Sequence, residues 1–190
     1  FPFFLFSFFP FFLFSFFPCL QVNHPALLKR TLQQTIQKNG EAGYFLEDVD
    51  ELMPAEFSGS RIRNADIEKP EYGGKMMVVH SMMSKMLHVR GPDREKIVLV
   101  SNFTETLDIF ARMLSGMNAK YVRLDGGVQV NKRQRIVDQY NDPTSGIFAF
   151  LLSSKAGGCG LNLIGGNRLV LFDPSWNPAD DRQAAARIWR

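Results

Sequence analysis

Cysteine is nearly absent from this chain: 190 residues carry two, Cys19 and Cys159. So few exclude a disulfide scaffold or a cysteine-rich zinc module, and the sequence reads as that of an intracellular domain with Cys159 as small packing. Charge is absent from residues 1–21, which begin without Met; the first eighteen hold only Phe, Pro, Leu and Ser, repeating with a period of eight, and Cys19-Leu20-Gln21 close the stretch. With no positive start and no small-residue cleavage site, this is not a secretory signal. A membrane span needs ~20 apolar residues in an unbroken helix, and Pro2, Pro10 and Pro18 interrupt this one. Those four residue types are the only ones that codons made entirely of pyrimidines can specify, and Gln21 can be encoded by CAG. Residues 1–21 therefore read as a translated intron end, a gene-model artefact. The segment holds 11 of the 18 phenylalanines, so the overall aromatic content overstates that of the remainder.

About 170 residues follow, enough for one domain with a sizeable core. They carry all the charge, net +3, a balance that permits a polyanionic partner without demonstrating one. Residues 22–35 predict a short helix after the Asn-His-Pro corner at 23–25. Residues 36–74, broken by Gly and Pro, read as a linker. Met76, Met77, Val79, Met83, Met86 and Leu87 recur at helical spacing and predict a core-facing stripe.

From Lys96 the pattern is regular. Residues 96–102 (KIVLVSN), 120–125 (KYVRLD), 146–154 (GIFAFLLSS) and 167–173 (NRLVLFD) predict strands, the continuous apolar runs suiting burial on both faces. Thr104–Ser115 predicts a helix with Leu107, Phe110, Ala111 and Leu114 on one face. Asn131, with Gln134 three residues later, predicts the start of another helix. Asn177-Pro178 opens a last one. Strands alternating with helices imply parallel βαβ units with right-handed crossovers, an α/β three-layer sandwich.

In such sheets ligands bind beyond the carboxyl ends of the strands, where Ser101-Asn102, Asp125-Gly126-Gly127, Ser153 to Gly160 and Asp173 to Pro178 all fall. A glycine-rich loop holding Lys155 lets backbone N–H groups approach a phosphate, although such a loop alone is a weak signal. On the last helix Gln183, Arg187 and Arg190 lie within about 60° of one another. Two guanidiniums on one stripe suit an anionic target; spacing alone favours an ordinary solvated face.

Residues 153–190, with the Ser-Lys-Ala-Gly-Gly loop followed by Trp-Asn-Pro and Gln-x-x-x-Arg-x-x-Arg, resemble the second motor lobe of SWI/SNF-like ATPases in helicase superfamily two. The runs KMMVVH, KIVLVSNFTETLDIF and YVRLDGGVQVNKRQRIVDQYN resemble most the repair and recombination translocases of the RAD-fifty-four type. The resemblance implies a RecA-like lobe over 75–190, after a leader at 1–21 and an inter-lobe connection at 22–74. It implies Arg187 and Arg190 as arginine fingers, with Gln183 orienting the same site. Gly158, Gly160 and Asn162 would line the nucleotide edge, and Ser101, Asn102, Arg133, Ser154 and Lys155 would face the DNA backbone. Trp176, Asn177 and Pro178 would couple the two sites. The implied ligands are ATP with Mg2+, held mainly by a first lobe, and double-stranded DNA. A recombinase filament is the implied partner, the nucleus the implied location, and no membrane is involved.

The sequence holds neither a G-x-x-x-x-G-K-[ST] phosphate loop nor an acidic magnesium motif. Gly73-Gly74-Lys75-Met76 has the wrong spacing and opens a helix. The chain is therefore expected to be one lobe of a two-lobe motor, truncated at both ends and inactive alone as an ATPase. The alternatives are a lobe of a chromatin remodeller or a stand-alone nucleic-acid-binding fragment.

Overall fold

The computed structural model describes residues 24–27, 69–89, 91, 94–156, 161–173, 177, 179, 182, 185 and 186. The chain divides into two compact units, Phe1–Val78 and Val79–Arg190. In the first, residues 25–27 are helical, as expected for part of the 22–35 segment; its remainder, like the leader and most of 36–74, lies outside the described residues. His24 is fully buried. Its Nδ1 accepts the Ala26 N–H at 3.2 Å, so Nε2 carries the proton and donates to the Lys69 carbonyl at 2.9 Å. His24 thereby ties together two stretches 45 residues apart. Pro70–Tyr72 forms a 3-10 turn, and the Tyr72 ring stands edge-on to the His24 ring.

Helix α1, Gly74–His88, begins at the second glycine of the pair. Met76, Val79, Met83 and Met86 are buried, as the stripe predicts, but Met77 is 49% exposed. It sits one position, or about 100°, around the helix from Met76, off the buried face.

The second unit holds β1 (Ile97–Ser101), α2 (Thr104–Gly116), β2 (Tyr121–Leu124), α3 (Val130–Asn141), β3 (Ala149–Ser153) and β4 (Arg168–Leu171). Strand order is β2-β3-β1-β4, every pairing parallel, with Ser101 level with Ser153. All five residues of β1 and of β3 are buried, because the two central strands are covered on both faces. The connections through α2 and through α3 run in opposite directions along the sheet, so right-handed crossovers place the two helices on opposite faces. Val137 and Tyr140 of α3 pack with Val98, Val100, Phe150 and Leu152 on one face. Phe110 of α2 meets Phe172 edge-on at 5.0 Å between ring centroids. The predicted α/β three-layer architecture is the observed one.

Helix α3 starts earlier than predicted. Its N-cap is Gln129, without a side-chain capping bond, and Gln134 Nε2 donates instead to Asp138 Oδ1 at 2.8 Å. Its carboxyl end is secured by Lys96, whose Nζ donates to the Tyr140 and Asp142 carbonyls at 2.6 and 2.8 Å; a cation there also complements the helix dipole. Partial burial lowers the Lys96 pKa from its usual value, against the opposing pull of Asp142. Tyr140 donates its hydroxyl to the Ile97 carbonyl at 3.2 Å, and burial raises its pKa far above that of a free tyrosine.

Gly165-Gly166 passes directly over this helix end. A Cβ on Gly166 would stand 2.9 Å from Tyr140 Oη and 3.0 Å from Val98 Cγ2. Gly166→Ala should therefore destabilise the lobe by about 1–3 kcal/mol through overpacking, read as a lower urea midpoint with unchanged slope; an unchanged midpoint would show that the contact relaxes freely.

Candidate functional site

Because all strands are parallel, their carboxyl ends share one edge, and the polar residues there hydrogen-bond to one another. Ser101, the last residue of β1, is fully buried and donates its hydroxyl to Asp173 Oδ2. Asn102 Nδ2 donates to the Asp173 carbonyl at 3.1 Å. Ser154, just past β3, donates its hydroxyl to Asn102 Oδ1, and its N–H reaches the Ser101 carbonyl at 3.1 Å. The ends of β3, β1 and β4 are thus stitched through four residues. Asp173 is itself only 6% exposed, and a buried polar side chain needs a partner such as the Ser101 hydroxyl to offset its lost hydration.

A second cluster orders the loop after β2. Arg123 donates to Asp125 Oδ2 at 2.7 Å and to Asp108 Oδ1 of α2 at 2.5 Å. Burial works against its charge, but the hydrogen bonds and charges of the two carboxylates outweigh it and raise its pKa. Asp125 Oδ1 accepts the Gly127 N–H at 3.0 Å, closing a turn.

The structure places the expected DNA-facing residues unequally. Lys155 is exposed, and Asn102 and Ser154 are half-exposed beside it. Ser101 departs from expectation: its side chain lies in the interior and holds Asp173 instead of facing a phosphate. Arg133 is half-buried, with Nε 3.1 Å from the Val128 carbonyl and Nη1 3.5 Å from that of Ala156, so it bridges the loops after β2 and β3. Asn162 is exposed and is not brought to this edge. Its carbonyl accepts from Asn141 Nδ2 at 2.9 Å, at the far end of α3. Asn177 opens the last helix as predicted: its Oδ1 accepts the Ala179 N–H at 3.1 Å. Ala186 N–H donates to the Arg182 carbonyl at 2.9 Å. Gly158, Gly160, Trp176, Pro178, Gln183, Arg187 and Arg190 lie outside the described residues. The pairing of Asp173 with Ser101, 72 residues apart, and the Arg123 bridge carry no local sequence signal beyond a polar residue at a strand end.

Fold and edge together define the second lobe of a helicase-type motor. The helicase conserved C-terminal domain model matches residues 65–190, and the chain belongs to that family, in its SWI2/SNF2 branch with RAD54-like relatives. It is 48% identical over 172 residues to the DNA repair and recombination protein RAD54 of Oryza sativa subsp. japonica, covering 88% of this chain and 17% of that protein. Among solved structures it is similar to the C-terminal part of the Fun30 ATPase domain, with a TM-score of 0.59 and 28% identity over 90% of this chain and 59% of that one. The SWI2/SNF2 ATPase core domain of Sulfolobus solfataricus gives a TM-score of 0.51 and 26% identity, over 62% of this chain and 24% of that one. These likenesses agree with the RecA-like α/β fold. The chain spans less than a fifth of its rice relative.

Arg123→Ala should lower unfolding stability by about 1 kcal/mol, the scale of a partly exposed charge network, and speed hydrogen exchange at the Gly127 amide. An unchanged Gly127 exchange rate would mean that the loop holds its turn without the arginine.

Proposed function

We propose that this chain is the C-terminal motor lobe of an ATP-dependent double-stranded-DNA translocase of recombinational repair, acting in the nucleus on DNA beside a recombinase filament. The observation that carries the reading is the shared edge: Ser154 bonds to Asn102 and Asn102 to Asp173 just past β4, with the exposed Lys155 next in sequence to Ser154. The name of the rice relative supports the repair assignment. In this reading Asn102, Ser154 and Lys155 face DNA phosphates, with Arg133 bracing their loop; contacts of this kind give affinity without reading sequence, as a motor stepping along any duplex needs.

Arg187 and Arg190 reach across to the ATP held by the first lobe, with Gln183 orienting them and Gly158 and Gly160 bordering the site. Trp176, Asn177 and Pro178 join the DNA and nucleotide sides. Among the described residues no group of three His, Cys, Asp or Glu could hold a metal ion. In this reading Mg2+ arrives with the nucleotide and is held mainly by the first lobe. No helix among the described residues is long and apolar enough to cross a membrane.

In the protein carrying both lobes, Arg187→Ala should lower DNA-stimulated ATP hydrolysis by at least about 10²-fold while DNA affinity changes little, as expected of a finger acting on the transferring phosphoryl group. Equal losses of both would count against that role. Lys155→Ala should weaken binding alike on unrelated duplexes and reduce the salt slope by about one; a loss confined to one DNA sequence would refute a backbone contact.

A further inference from the structure

We propose that the first turns of α3 carry a second phosphate-contacting surface, in which Lys132 and Arg135 bind the backbone of the same duplex that Lys155 contacts; the inference rests on the translocase reading above. Helix α3 follows β2, so it opens at the carboxyl edge of the sheet, where Asn102, Ser154 and Lys155 also lie. Arg133, whatever else it touches, fixes that placement. Its Nε stands 3.1 Å from the Val128 carbonyl, and its Nη1 stands 3.5 Å from the carbonyl of Ala156, the residue after Lys155. The start of α3 and the Lys155 loop therefore lie side by side.

Lys132 and Arg135 are three positions apart, hence about 60° around the helix and about 4.5 Å along it. Both are exposed, on the side away from Val137 and Tyr140, which pack into the core. Among the described residues neither forms an ion pair with a carboxylate. The acids nearest in sequence hold other groups: Asp125 takes Arg123 and the Gly127 N–H, and Asp138 takes the Gln134 amide. No acidic residue stands in the first turn of α3. The two cations thus work against the helix that carries them, since like charges three positions apart repel and the positive end of the helix dipole prefers an anion. Folding gives no reason for this arrangement. A row of phosphates laid along the edge from Lys155 relieves both repulsions, and contacts of this kind need no particular base sequence.

The test measures the affinity of the protein carrying both lobes for unrelated duplexes from about 50 to 200 mM salt. Changing Lys132→Ala and Arg135→Ala together should flatten the slope of log affinity against log salt by about two, and each change alone by about one. The loss of affinity should be equal on every duplex. Lys132→Arg with Arg135→Lys should keep the slope, because charge is what the phosphates meet. Lys120→Ala removes another exposed cation, at the amino end of β2 on the opposite edge, and should leave the slope unchanged. The urea midpoint of the double alanine variant should not fall, since neither side chain stabilises α3. The proposal is overturned if that variant keeps the original slope, if its midpoint falls, if its loss is confined to one DNA sequence, or if Lys120→Ala flattens the slope as much as either single change. An unsubstituted protein that binds no duplex would instead sink the translocase reading itself.

Discussion

A parallel strand covered on both faces has nowhere along its length to put a polar side chain, and this lobe is organised by that limit. Every residue of β1 and β3 is buried, so their backbone groups must be paired with neighbouring strands. Side-chain chemistry is pushed to the strand ends. At the carboxyl edge the displaced polar groups are Ser101, Asn102, Ser154 and Asp173, which satisfy one another. At the opposite edge Lys96, Tyr140 and the Gly165-Gly166 passage close the other end of the layer that α3 forms. One edge is closed by tight glycine packing around the Lys96 and Tyr140 bonds, while the other is held by a chain of side-chain hydrogen bonds.

The sheet was legible because runs such as IVLV and AFLL contain no polar residue to place on a wet face, which leaves the centre of a parallel sheet as their natural home. Helix phases were legible where apolar residues recur at helical angle, as with Leu107, Phe110 and Leu114 of α2, although Ala111 of the same predicted face is only partly buried and the polar Thr106 is buried beside them. Met77 was misread because methionine spacing counts residue type, whereas burial follows angle. The start of α3 was misread because Asn131 and Gln134 resemble a capping pair. Asp125 had already closed the turn: its carboxylate takes the Gly127 N–H, and its carbonyl takes the Val128 N–H at 3.2 Å. The chain enters the helix two residues before Asn131 could cap it.

The site was legible as a set of strand ends, but not as a set of partners. Motif resemblance assigned Ser101 and Arg133 outward roles by position, yet side-chain direction depends on what stands opposite. Ser101 faces Asp173 across a strand gap invisible to local sequence, and Arg133 reaches the carbonyls of two loops. Asn162 follows the glycine-rich stretch in sequence but has already turned toward Asn141. Asp173 passed as part of a motif when its burial makes it the fixed point of the edge.

The cap at Asn177 has a geometric consequence for everything downstream. Its side-chain oxygen takes the Ala179 amide, and so selects which residue begins the spiral. Were that origin to slip by a single position, every following side chain would swing about 100° around the axis. The short polar residue at the helix mouth thus works as an indexing pin, setting the angular heading of Arg182, whose carbonyl takes the Ala186 N–H one turn on.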